Sequence, residues 1–185
     1  MTGEPSTQTT QPSLSTAALV ESLLFVADEP VPVDRLAAAL DLSIEDVEAA
    51  LAALTRDYVH RGIRLQRKRQ RVQMVTAPQA AEPVRRFLGL EFTSRLSPAA
   101  LETLAIVAYR QPITRAQVEA IRGVNSDSVL RTLVNRGLVE EQGRLEQVGR
   151  PVCFGTTFEF LQQFGLTSLG ELPQIDFADQ GSEEG

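Results

Sequence analysis

The chain has 185 residues, 43% of them apolar and 23% charged, with a formal net charge of −6. That is the composition of an ordinary globular protein with room for one or two domains. The net acidity disfavours indiscriminate attraction to nucleic acid. No charged leader with a cleavage site and no bilayer-length apolar run is present, so the expected compartment is the cytoplasm.

Residues 1–14 are rich in Ser, Thr, Gln and Pro and are expected to form a disordered tail. Ser15 can cap a first helix that runs to Ala27, where Asp28-Glu29-Pro30 stops it. A short second helix covers Asp34 to Leu40. Ser43 then caps a third, with Asp46 as the aspartate form of a capping box and Ile44, Val47, Leu51 and Leu54 on one face. After Gly62 the period changes to two. Ile63, Leu65, Val72 and Met74 are expected to face inward, and Arg64, Gln66, Arg71 and Gln73 outward, from a hairpin with its tip at Arg67-Lys68-Arg69-Gln70. A helix over Gln79 to Leu88 leads into a linker near Phe92 to Leu96.

The pattern then repeats. Val26-Ala27 with Glu29-Pro30 corresponds to Val107-Ala108 with Gln111-Pro112. Ser97-Pro98 opens the second copy, Thr114 with Gln117 makes a capping box, and Asn125 or Ser126 caps a helix bearing Val129, Leu130, Leu133 and Val134. Gly137 ends that helix, Leu138 to Glu140 and Cys153 to Thr156 read as wing strands, and Phe158, Leu161 and Phe164 mark a last helix. The implied fold is mainly α with small β wings (α+β), as two tandem winged-helix domains. Residues 15–93 form the N-terminal one, 94–166 the C-terminal one, and 167–185 an acidic, largely disordered tail.

A winged helix either reads DNA or grips protein, and charge separates the two. A groove-reading helix meets phosphates at its N-terminal end. The first domain offers Glu45, Asp46 and Glu48 there, and the second Asn125, Ser126, Asp127 and Ser128. Each carboxylate beside a phosphate costs about 1 kcal/mol even in water, against about 1–3 kcal/mol for one good base contact. Neither helix suits DNA. The basic tip, Arg67, Lys68, Arg69 and Arg71, is the counter-indication and the one candidate DNA contact, weak and non-specific. The first helix carries more apolar surface than a small domain hides. Leu19 and Leu23 can face the core, while Leu24 and Phe25 fall on other sides. Val20, Leu24 and Phe25 are therefore the candidate dimer interface. Packing against the helix near Val84 to Leu88, or against the other domain, is the competing explanation.

No phosphate loop of Walker or Rossmann spacing is present, and one histidine and one cysteine cannot build a common metal site or a Cys–His pair with a spare ligand. His60 reads as a surface residue and Cys153 as a small buried apolar one. No catalytic residue, cofactor or metal is expected.

Several motifs together resemble one family. They are Ala108-Tyr109-Arg110-Gln111-Pro112-Ile113-Thr114-Arg115, Arg122-Gly123-Val124-Asn125-Ser126, Val129 to Leu133, Arg136-Gly137-Leu138, Gly149-Arg150-Pro151, Phe154-Gly155-Thr156-Thr157, Phe164-Gly165-Leu166 and Glu171-Leu172-Pro173. In these the chain is similar to segregation and condensation protein B over about Ala18 to Pro173. It departs from the pattern at Arg69-Gln70, where many relatives carry glycine, and at Cys153-Phe154. The resemblance implies a non-catalytic subunit of the bacterial SMC–kleisin complex, active in chromosome condensation and partition at cell division and associated with the nucleoid. It implies a homodimer joined through N-terminal domains that binds the kleisin, segregation and condensation protein A, and through it the SMC ATPase heads. Tyr109, Arg110, Arg131, Arg150 and Phe164 are the kleisin-binding candidates by motif position and by hot-spot chemistry. The rival expectation is a dimeric winged-helix transcriptional regulator using the Arg67 to Arg71 tip.

Overall fold

The computed structural model describes residues 14–89 and 95–174. The expected tail over residues 1–13, most of the linker and the acidic stretch 175–185 lie outside the described residues. Two similar bodies follow one another. The first runs α1 (Thr16–Val26), β1 (Val31–Pro32), α2 (Val33–Leu40), α3 (Ile44–Asp57), β2 (Ile63–Lys68) and β3 (Arg71–Thr76), then a 3-10 turn (Pro78–Ala80) and α4 (Ala81–Phe87). The second runs α5 (Pro98–Arg110), β4 (Ile113–Thr114), α6 (Arg115–Arg122), α7 (Asp127–Asn135), β5 (Val139–Arg144), β6 (Val152–Thr156) and α8 (Phe158–Phe164), ending in a 3-10 turn (Leu169–Glu171). This is the mainly α architecture with small β wings that the repeat implies.

Each body has a three-stranded antiparallel sheet, ordered β1-β3-β2 in the first and β4-β6-β5 in the second. The outer strands β1 and β4 are two residues each, Val31 facing Val72 and Ile113 facing Phe154. Two residues are too few to register as a period, so the sequence shows only the hairpins. The repeat of turn and proline between the first and second helices is the chain reaching across to its own wing.

Caps explain the helix starts. Ser15, Ser97 and Thr157 accept from the amides of Ala18, Ala100 and Phe160 at 3.0–3.2 Å. Ser43 accepts from the Asp46 amide at 3.1 Å, but its hydroxyl also donates to the Asp46 carboxylate at 2.6 Å, so the reciprocal half of this box is between side chains. Thr114 and Gln117 make the full capping box. Before α7 the Asn125 carboxamide oxygen accepts from the Asp127 amide, while Ser126, fully buried, is held by Arg122, Glu119 and Val124. Ser126 thus occupies the N-cap position without a side-chain cap, and Asn125, one residue earlier, meets the first helical amide. Gly137, at φ +68°, turns the chain out of α7 in the left-handed region that favours glycine.

The first core gathers Val20, Leu24, Leu36, Val47, Leu51, Leu54, Leu65 and Val72. The second gathers Leu104, Val107, Val118, Leu130, Leu133, Val139, Phe160 and Leu161. Leu169 and Leu172, beyond residue 166, also pack on the second core, so that body continues through the 3-10 turn. Tyr58 is buried just after α3 and donates its hydroxyl to Glu21 on α1 at 2.5 Å. Burial first, then the Glu21 bond and charge, hold its phenol well above the ordinary range. Arg64 closes the same corner, donating to the carbonyls of Tyr58, Val59 and Arg61 beyond the C-terminal end of α3. Cys153 is buried, and His60 is exposed.

Two expectations about side-chain direction are corrected. Ile63, Leu65, Val72 and Met74 do face the first core, and Gln66 points away from it, but not to solvent: it is 1% exposed, covered by the second body. On α1 the core stripe is Ala17, Val20, Leu24 and Ala27, with Leu23 at its edge, rather than Leu19 and Leu23. Both stripes have helical spacing. The Glu21–Tyr58 bond and the packing on α3 choose the rotation.

Candidate functional site

Among the described residues no group of three or more His, Cys, Asp or Glu side chains could hold a metal ion. No described helix is long and apolar enough to cross a membrane.

The first surface is the outer side of α1. Of the three candidates there, Val20 and Leu24 lie inside the first core, at 0% and 3% exposure, and only Phe25 projects, at 79%. Val26, on the same turn, and Leu19, one turn and a half earlier, are exposed as well. The apolar surplus on this helix is therefore Leu19, Phe25 and Val26. Reading outward residues from a wheel placed the surplus one position off because nearly every residue of α1 is apolar or small. The helix α4 does not account for it. Its Val84 and Leu88 line a groove of about 610 Å³ between the two bodies, with Val75, Pro78, Gln163 and Leu166.

The N-terminal ends of the two third helices are mixed in charge. Glu45 and Asp46 are exposed in the first turn of α3. Glu48 is neutralised, because Arg67 on the wing donates to both its carboxylate oxygens at 2.5 Å. Those bonds, against a smaller opposing effect of burial, hold the Glu48 carboxyl below its ordinary range and push the Arg67 guanidinium up. In the second body Asp127 receives Arg115 at 2.8 Å and Arg131 at 2.9 Å.

The basic tip is largely engaged within the molecule. Arg67 is spent on Glu48 and also donates to the Arg69 carbonyl at 3.2 Å. Lys68 is bound to Glu140 and Arg69 to Gln142, both on the second wing. Arg71 is exposed. The turn itself is a two-residue loop in which Arg69 takes φ +54°, a conformation that costs a non-glycine residue about 1–3 kcal/mol.

The kleisin-binding candidates do not converge. Arg131, on α7, lines a groove of about 450 Å³ between α6, α7 and the second wing. Its floor is Leu130, Val134, Val152 and Phe154, and its rim is Arg115, Glu119 and Glu141. Tyr109 sits at the end of α5, where its hydroxyl donates to the Pro173 carbonyl at 2.9 Å under the strap that carries Leu169 and Leu172. Arg110 is exposed next to it. Arg150 is exposed on the second wing at φ +38°, its carbonyl accepting from Arg144. Phe164, half-exposed, packs against Phe160 with ring centroids 4.9 Å apart and the planes tilted by 40°. Sequence reasoning missed Arg115 and Phe154 as groove residues, since only the fold sets α6 and β6 beside α7.

Comparison with known proteins adds a lineage. The family model described as "Segregation and condensation complex subunit ScpB" matches residues 18–175. The segregation and condensation protein B of Geobacillus thermodenitrificans is 47% identical over 171 residues, covering 90% of this chain and 82% of that protein. The crystal structure of ScpB from Mycobacterium tuberculosis has 42% sequence identity and a TM-score of 0.40, covering 83% of this chain and 99% of that one. A solved dimer of the ScpB N-terminal domain with a ScpA peptide has 27% identity and a TM-score of 0.36, covering 38% of this chain and 91% of that one.

Proposed function

Because this chain belongs to the ScpB family, a family of segregation and condensation complex subunits, we propose that it is the non-catalytic accessory subunit of a bacterial SMC–kleisin complex, acting as a homodimer. The dimer forms through the outer face of α1, where Leu19, Phe25 and Val26 leave apolar surface uncovered. It binds the kleisin, segregation and condensation protein A, through the second winged-helix body, and serves chromosome condensation and partition in the cytoplasm at the nucleoid.

The observation that carries the kleisin contact is the groove beside α7. It combines an apolar floor of Leu130, Val134, Val152 and Phe154 with two arginines, Arg115 and Arg131, at the rim. That is the chemistry of a peptide groove with arginine anchors. Tyr109, Arg110, Arg150 and Phe164 stand as further contact residues around the same body. A groove-reading regulator has less support: Glu45 and Asp46 lead α3, and Arg67, Lys68 and Arg69 of the first wing are engaged with the molecule's own acceptors.

Light scattering on the protein alone and after mixing with its cognate kleisin tests both claims. The expected result is a dimer alone and a heavier complex in the mixture. Arg131→Ala should weaken kleisin binding about tenfold or more, the effect of one hot-spot residue. A monomer that ignores the kleisin overturns the proposal.

A further inference from the structure

The two bodies touch through the first wing, and that contact has two parts of different chemistry. In the first part, the Gln66 amide nitrogen donates to the Leu166 carbonyl at 2.7 Å, and the Arg67 backbone amide donates to the Thr167 carbonyl at 2.8 Å. The strand β2 is an edge strand of its sheet, and this segment of the second body covers it. Gly165 permits the approach: a Cβ there would lie 3.2 Å from Pro78, at a φ of +68°.

The second part is wing to wing. Lys68 meets Glu140, and Arg69 meets Gln142. Gln142 lies flat over Gly155, where an added Cβ would fall 2.1–2.4 Å from its amide group. The missing side chain at 155 is what lets Gln142 lie there while its carboxamide oxygen meets Arg69.

Lys68 is the only lysine in the chain. Its side chain is 8% exposed, while Glu140 is half-exposed. An ammonium group is strongly hydrated and is buried only where it is paired. The attraction to Glu140 is therefore set against the dehydration of Lys68, and such pairs end near balance. A polar contact of this kind between two domains is one that opens. Opening would return Lys68 to solvent and release Arg69, already exposed but held by Gln142, beside the exposed Arg71, and would move Glu140 and Glu141 away from them.

We propose that the second wing is an internal cap on the basic tip of the first: Lys68 latches the two bodies through Glu140, and the tip meets a polyanionic backbone such as duplex DNA only when the wings part. The latch accounts for a basic tip on an acidic protein without assigning it constitutive DNA binding.

Acetylation by an N-hydroxysuccinimide ester, followed by mass spectrometry, reads the latch directly. The full chain has one lysine amine and one α-amino group, and the second is an internal reference. Native Lys68 should react at least about tenfold more slowly than in the guanidinium-unfolded chain. Glu140→Gln, or Gln142→Ala as an independent variant, should remove most of that protection, while Glu29→Gln, with the same charge change as Glu140→Gln but outside the contact, should not. At low salt, duplex DNA should restore protection in Glu140→Gln and leave the parent unchanged. Lys68 reacting at the unfolded rate in the native protein overturns the latch. So does protection that survives both wing variants. An opened variant that DNA fails to protect overturns the assignment to a polyanion.

Discussion

Tyr58→Phe isolates one hydrogen bond. The phenol is 3% exposed and donates at 2.5 Å to Glu21, so the change removes the donor, keeps the ring, and leaves a part-buried carboxylate without it. A hydrogen bond to a charged group contributes about 1.5–3 kcal/mol, which for a chain of this length lowers Tm by about 3–12 °C. The pH dependence gives the sharper test. Burial and Glu21 hold the Tyr58 phenol above its ordinary value. Its contribution is therefore complete below about pH 10, where an unfolded tyrosine still carries its proton, and is lost as pH rises further. In that window the unfolded chain has released the proton and the folded one has kept it, so stability falls by up to about 1.4 kcal/mol per pH unit. Denaturant unfolding at pH 8 to 11 reads both quantities. The phenylalanine variant should start lower and lack this component of the alkaline slope. A loss under about 0.5 kcal/mol, or parallel alkaline slopes, refutes the reasoning.

Glu48→Gln should flatten the acid limb of the stability curve. The bidentate Arg67 pair holds the Glu48 carboxyl below its ordinary value, so its contribution is present above about pH 4.3 and is lost as pH falls through the lower folded value. The pair is partly exposed, and the difference at pH 7 should be at most about 1 kcal/mol; urea midpoints from pH 2 to 7 measure it. Leu24→Ala and Phe25→Asp, on neighbouring positions of α1, should separate cleanly. Leu24→Ala empties part of the core and should cost about 2–5 kcal/mol in chemical unfolding. Phe25→Asp should leave the fold intact and convert dimer to monomer in sedimentation, because its ring is outside the core. A Phe25→Asp protein that remains a dimer removes α1 from the interface.

Most of the fold is written locally. Caps at Ser15, Ser43, Ser97 and Thr114, the stops at Pro30 and Gly137, and the change of period after Gly62 are each decided by residues within a few positions of one another. Two copies of one local pattern are enough to imply two winged-helix bodies. The candidate surfaces were less legible. The repeated motifs mark the second body as distinctive, but they do not say which of its side chains share a groove. Arg115, Arg131 and Phe154 meet only because α6, α7 and β6 pack side by side.

Residues met across long separations were decided by the tertiary structure alone. In the sequence Gln66 is one more polar position in an alternating strand, and Lys68 one more cation in a basic run. Their partners, Leu166 and Glu140, lie 100 and 72 residues away. Alternation fixes which side of a strand a residue takes; it does not fix what stands on that side. Likewise, apolar spacing makes α1 a helix with a buried side, but Tyr58, reaching back 37 residues to Glu21, settles which side that is.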